Sequence, residues 1–261
     1  MTYLHAFLLL IATTFSVFSS ASNTATSDTV ISNSDSVIKT PIKMPYPEFS
    51  AGYTATWSGG WFPITVSAQR SLRYATDGTA TLTFEADSAI AGLKEISTFR
   101  IIEDTIKPLQ YQYLRTGLFK EPDRNQLFDW TSKTIINGDD DSIFKGHWSD
   151  GVQDNLSYNM QASIDLLNGK TVLSYPVFDR KKIKDFTFKI IGSEPLKTKV
   201  GTLNTIKVEQ VELKKKKQKT YIWFATDYDY LLVRLQQKKK DGQVYQIDLT
   251  DAKINGKSLG Q

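Results

Sequence analysis

The chain has 261 residues, a formal net charge of +4, 12% aromatic residues, two histidines and no cysteine. Without Cys there is no disulfide and no thiolate metal site, and a lone histidine beyond the N-terminal segment, His147, cannot supply the three nitrogen or sulfur ligands of a zinc or copper centre. Stability has to come from a packed core, and the stretch from residue 45 onward is long enough to build one.

Residues 1–21 carry no Asp, Glu, Lys or Arg, and their apolar run from Ala6 to Ala12 leads to the small residues Ser19, Ser20 and Ala21. This pattern predicts a secretory signal peptide cleaved before Ser22. His5 stands where a Lys or Arg is expected, which leaves an uncleaved anchor as the alternative. No Cys follows the run, so a lipoprotein anchor is excluded. Residues 22–44 are rich in Ser, Thr, Asn and Asp without helix or strand periodicity, and read as a flexible tether before a single β-rich domain over 45–261. No later apolar run approaches the ~20 residues of a bilayer-spanning helix.

Alternation with period two then dominates. In Thr79 to Ala86 the even positions are apolar and the odd ones polar, a half-buried strand after the Asp77-Gly78 turn. Leu231, Val233, Leu235 and Tyr245, Ile247, Leu249 repeat the pattern on either side of an Asp241-Gly242 hairpin turn. Less regular strands are predicted at 49–57, 61–74, 94–103, 106–115, 126–136, 171–178, 182–191, 203–213 and 219–225. The apolar phase slips between Val208 and Val211, which predicts a bulge near Glu209 and Gln210. One segment reads as helix: Leu156, Met160, Ile164 and Leu167 share a face, with Asp154 to cap the start and Asn168-Gly169 to stop the end. About a dozen short strands and one helix predict a mostly β fold, a strongly curved antiparallel sheet or barrel-like fold with one short helix. A two-sheet sandwich is the alternative.

Chemistry is scarce. No Gly-x-Ser-x-Gly elbow accompanies His147, no phosphate-binding glycine fingerprint occurs, and Asn137 to Asp141 has turn composition without the spacing of a calcium loop. No catalytic residue, metal, cofactor or nucleic-acid partner is expected, although paired carboxylates from separate strands cannot be judged from spacing. Trp130, Tyr221, Trp223 and Phe224 are the candidate ligand-lining residues, against core packing as the competing reading. Tyr221 to Phe224 are apolar on both faces, so that strand should be covered on both sides. Charge is uneven: residues 1–179 hold 13 basic and 19 acidic side chains, residues 180–261 hold 19 and 9. An antiparallel meander brings the turns at 214–218 and 238–242 to one end, gathering Lys214, Lys215, Lys216, Lys217, Lys219, Lys238, Lys239 and Lys240. That end could contact an anionic membrane surface or simply protect a sheet edge.

Four motifs in order, Phe128-Asp129-Trp130, Asp154-x-Leu156-Ser157, Gly192-x-Glu194-x-Leu196-x-Thr198-x-x-Gly201, and Ile222-Trp223-Phe224-Ala225-Thr226-Asp227 leading to Val233-Arg234, resemble the exported bacterial family known as domain of unknown function 3108. The resemblance covers residues from about Phe49 to Leu249, and Leu232 departs from it where members often place Pro. It implies periplasmic or outer-envelope residence in Gram-negative bacteria, a curved antiparallel β architecture and no activity to carry over. The motif residues also have structural readings: Gly192 and Gly201 suit turns, Asp227 suits a hairpin bend, and Glu194 and Arg234 could form an ion pair. The resulting expectation is a non-enzymatic periplasmic module that binds or carries a hydrophobic or amphiphilic envelope molecule such as a lipid, with the helix across one opening. The alternatives are a scaffold that binds another envelope protein and a hydrolase built from carboxylates.

Overall fold

The computed structural model describes residues 46–58, 63–88, 91–117, 122–211 and 218–260. The signal and tether readings, and Lys214, Lys215, Lys216 and Lys217, lie outside the described residues.

The strands in chain order are β1 (Phe49–Ser58), β2 (Ile64–Tyr74), β3 (Ala80–Asp87), β4 (Ala91–Ile102), β5 (Thr105–Gly117), β6 (Arg124–Asp129) and β7 (Thr134–Asn137). After the helix α1 (Ser157–Leu167) come β8 (Val172–Asp179), β9 (Lys182–Thr198), β10 (Gly201–Val211), β11 (Gln218–Ala225), β12 (Leu231–Lys239), β13 (Val244–Ile254) and the short β14 (Lys257–Ser258). They form one antiparallel sheet in the order β7-β6-β5-β4-β3-β2-β1-β13-β12-β11-β10-β9-β8, with β14 on β13. Among the described residues the fold is thus mostly β with one helix, as the alternation predicts. Two meanders, β1–β7 and β8–β13, are joined by β1 against β13, from Phe49 opposite Ile254 to Ser58 opposite Val244.

The sheet curls until its outermost strands approach, yet β7 and β8 do not pair. At this seam the Phe128 and Phe178 rings meet edge to face at 6.4 Å, and Gln126 Nε2 donates to the Arg180 carbonyl at 3.2 Å. The segment leading to the helix spans the same gap, because Gln153 exchanges backbone hydrogen bonds with β8 while its Nε2 donates to the Ile106 carbonyl of β5 at 2.9 Å.

The meander sorts the turns to two ends. Those at 75–79, 103–104, 130–133, 199–200, 226–230 and 255–256 gather at one end, those at 180–181 and 240–243 at the other. The helix plugs the first end. Gln161 accepts from the Ile106 N–H at 2.6 Å and donates to the Asp104 carbonyl, Ser163 donates to the Tyr230 carbonyl at 2.8 Å, and Tyr175 donates to Asp165 at 2.9 Å. Asp154 accepts from the N–H groups of Leu156 and Ser157, satisfying donors that a helix start leaves open.

Five sequence expectations need correction. The 126–136 strand is two strands, because Lys133 takes a left-handed φ of +53° and turns the chain. The strand expected at 182–191 continues to Thr198, and the bulge belongs to it: Lys207 faces Gly192 and Val208 faces Ile190, so Ile191 is the extra residue beside Gly192, which lies inside the strand rather than in a turn. Val211 simply points outward, 37% exposed. The helix is not amphipathic as read, since Leu167 is 44% exposed while Gln161, Ser163 and Asp165 are buried in polar contacts with the wall and Asn159 is buried beside them.

Candidate functional site

Cross-strand register assigns the inward side chains, and burial then separates the two ends of the barrel. Near the helix they are fully buried: Leu72, Leu82, Phe99, Ile106 and Phe224 all have 0% exposure. Toward the other end, an arc of strands presents Leu235 of β12, Tyr245 of β13, Val66 of β2, Phe84 of β3 and Leu93 of β4, all inward and all still partly accessible. An inner face that keeps accessible surface is not filled by its own side chains. The arrangement is an apolar inner face that stays partly accessible at the end away from the helix plug.

Ionisable groups enter the same interior in one row of directly opposed residues, Arg70, Phe84, Glu95, Tyr113 and Arg124, on five adjacent strands β2 to β6. Glu95 is enclosed by the wall but retains accessible surface, and accepts from the Tyr111 hydroxyl at 2.9 Å. Burial pushes its carboxyl up to about 7, helped by the charges of Asp154 and Asp179 and opposed by the Tyr111 bond and the Arg124 charge. Arg124 stacks over the Tyr113 ring at 4.0 Å. Arg70 is 5% exposed, lies 5.7 Å from the Phe49 ring centre, and its Nη2 has no hydrogen-bond partner among the described residues.

Asp154 is fully buried, and burial raises its carboxyl to about 6 against four hydrogen bonds that lower it. Its Oδ2 accepts from Ser97 Oγ at 2.5 Å and its Oδ1 from the helix start, so both oxygens are committed to structure. A paired-carboxylate hydrolase needs two groups free to reach a substrate, and Asp154 does not offer one. Among the described residues no group of three His, Asp or Glu could hold a metal ion.

The four aromatic candidates occupy three places. Phe224 points inward and is fully buried. Trp223 and Tyr221 point to the outer face, where the Trp223 ring is covered by Lys207 Nζ at 4.6 Å and the Arg234 guanidinium at 5.7 Å, and its indole N–H donates to Glu194 at 2.6 Å. Trp130, in the turn after β6, donates to the Pro108 carbonyl at 2.6 Å and meets Trp148 edge to face at 4.8 Å. The strand is covered on both sides, as its apolar pattern predicts, but by long charged side chains on the outer one. The expected Glu194–Arg234 ion pair does not form, because Trp223 stands between them. Glu194 pairs with Lys207 at 3.3 Å and Arg234 with Asp248 at 2.5 Å.

Lys219 and Lys238 are directly opposed on β11 and β12, Lys239 faces Gln218, and Lys240 lies in the following turn, so these four gather at the end opposite the helix. Lys219 and Lys189 both reach Glu209, at 3.6 and 3.2 Å. Sequence reasoning missed Arg70, Glu95 and Arg124. The signal was present for the first two: each takes an inward-phase position in an alternating strand, between Ala68 and Leu72 and between Leu93 and Ser97.

A family model described as a protein of unknown function, DUF3108, matches residues 52–250. No curated protein matches the chain. Among solved structures, a β-barrel-like protein of the DUF1849 family from Brucella abortus aligns with a TM-score of 0.51 at 9% identity, covering 80% of this chain and 98% of that one. The likeness is one of fold. MucB in its complex with MucA from Pseudomonas aeruginosa aligns at 10% identity over 79% of this chain and 51% of that one, with a TM-score of 0.35. A LolA superfamily protein from Nitrosomonas europaea aligns at 9% identity over 81% and 88%, with a TM-score of 0.25. Neither of these last two scores is high enough to carry an argument.

Proposed function

The chain belongs to the DUF3108 family of proteins of unknown function, and on that premise we propose that it is a non-enzymatic periplasmic module that binds or carries a hydrophobic or amphiphilic envelope molecule inside its barrel. The observation that carries this reading is the pairing, in one interior, of an accessible apolar arc with a row of ionisable side chains. An acyl or other apolar group against Val66, Leu93, Leu235 and Tyr245 would leave water, and a polar end would meet Arg70, Glu95 and Arg124 at the neighbouring level. The N-terminal segment supports export, and the lysines at the end opposite the plug suit contact with an anionic membrane surface, at about 1 kcal/mol per charge close to it.

Native mass spectrometry of protein purified from its own envelope fraction, together with titration of an environment-sensitive fatty-acid probe, tests the reading. A co-purifying lipid and saturable probe binding that Leu235→Asp abolishes are expected. A bare protein that binds no probe overturns it. A second reading, a scaffold for another envelope protein, draws on the start of β8, ahead of the Gln153 contact, where Val172 is 72% exposed and an added strand could pair.

A further inference from the structure

We propose that the interior ligand is a single-chain amphiphile with a carboxylate head, bound head first against Arg70 with its chain running toward the end away from the helix plug; this rests on the carrier reading and gives its ligand a chemical class.

Arg70 is a charge without a counter-charge. It takes the inward phase of β2, directly opposite Ala51 of β1 and Phe84 of β3, and is 5% exposed. Among the described residues it forms no ion pair, and its Nη2 is buried without a hydrogen-bond partner. Its charge acts on the phenols of Tyr46, Tyr53 and Tyr158, which burial keeps protonated and neutral against that pull. A buried carboxyl escapes the cost of burial by keeping its proton, as Glu95 does up to about 7. Arginine has no such escape, because its guanidinium stays charged. An anion from outside the chain supplies what the fold does not.

The surroundings set the class of that anion. β2 runs toward the plug, so Val66 of the partly accessible apolar arc lies two inward positions from Arg70 on the far side from the helix. Between them Ala68 faces Ala86 directly, and small side chains at that level suit the passage of one alkyl chain. At the head, a guanidinium fork matches a carboxylate with two parallel hydrogen bonds. One guanidinium offsets one negative charge, and Glu95, directly opposite Phe84 in the same row, penalises a second, so a phosphate monoester fits less well.

Calorimetric titration of the delipidated full chain with decanoate, decanol and decyl phosphate compares three heads on one chain. Decanoate should bind about tenfold or more tighter than decanol and at least as tightly as decyl phosphate. Arg70→Met should bring decanoate to within about twofold of decanol. Without ligand the same variant should melt no lower than the parent, because it removes an unpaired buried charge and keeps the side chain's length. If none of the three binds, the carrier reading fails and the ligand class with it. Equal binding of decanoate and decanol, tighter binding of decyl phosphate, or a decanoate preference that survives Arg70→Met overturns the carboxylate-head assignment and leaves the carrier reading standing. A melting temperature of Arg70→Met well below that of the parent overturns it too, since the fold itself would then satisfy the guanidinium.

Discussion

The two ends of the barrel share the same strands and differ in what their inward side chains meet. Around the helix, Leu82, Phe99, Ile106 and Phe224 are sealed in one core with Met160 and Ile164 of α1, whose Gln161, Ser163 and Asp165 are bonded to Ile106, Tyr230 and Tyr175. At the other end the inward Val66, Phe84, Leu93 and Leu235 keep accessible surface and share the space with Glu95. A curved sheet alone does not decide whether its inside is core or container. The helix does, because it is long enough to fill one end.

The largest expected effects probe that difference in packing. Phe224→Ala removes a fully buried ring and should destabilise by about 3–5 kcal/mol, whereas Phe84→Ala should cost about 1–2 kcal/mol because its ring is already partly accessible. Urea unfolding of both variants measures the gap, and equal costs would erase the distinction between the ends. Trp223→Ala should also cost about 3–5 kcal/mol although the ring lies on the outer face, since it carries Lys207, Arg234 and Glu194 around it. An unchanged melting temperature would show that the charged cover contributes no real burial.

The interior carboxyl at the accessible end gives a smaller signal with a definite sign. Glu95 titrates at about 7 in the folded chain and near ~4.3 when unfolded, so between those values the native state holds the extra proton. Its contribution is present at low pH and is lost as pH rises through 7. Glu95→Gln should therefore gain stability relative to the parent as pH goes from about 4 to about 8, by on the order of 1 kcal/mol given its partial exposure. Denaturation midpoints at four or five pH values check this, and a relative gain toward acid pH would reverse the assignment. The smallest effect on stability belongs to the lysines of the same end: Lys→Gln at 219, 238, 239 and 240 should change it by less than about 0.5 kcal/mol while reducing co-sedimentation with phosphatidylglycerol vesicles at low salt. Undiminished co-sedimentation would leave those lysines as protectors of the sheet edge.

Period-two alternation made most of the strands legible, and Leu156, Met160 and Ile164 disclosed the helix. Alternation divides a strand into two faces but names neither as the inside when both are apolar, so Tyr221 to Phe224 could not reveal that Trp223 looks outward. Spacing likewise carries no partner information between separate strands, which is why the sequence suggests Arg234 for Glu194 where the structure supplies Lys207. The interior charges were more readable than they looked: Arg70 and Glu95 break an apolar phase, and such violations mark places where local preference yields to something else.

The joining of β1 to β13 sets the order in which this chain can fold. Every other principal strand pair unites neighbours in sequence and can zip as a hairpin, but Phe49 must wait for Ile254. Until residues 244–254 have left the ribosome, the first meander carries β1 as a bare template strand, open to pairing with any extended segment nearby. Closure of so distant a contact is entropically slow, so the last step of folding, and the one most sensitive to crowding by other unfolded chains, should be the docking of the C-terminal hairpin onto a strand made some two hundred residues earlier.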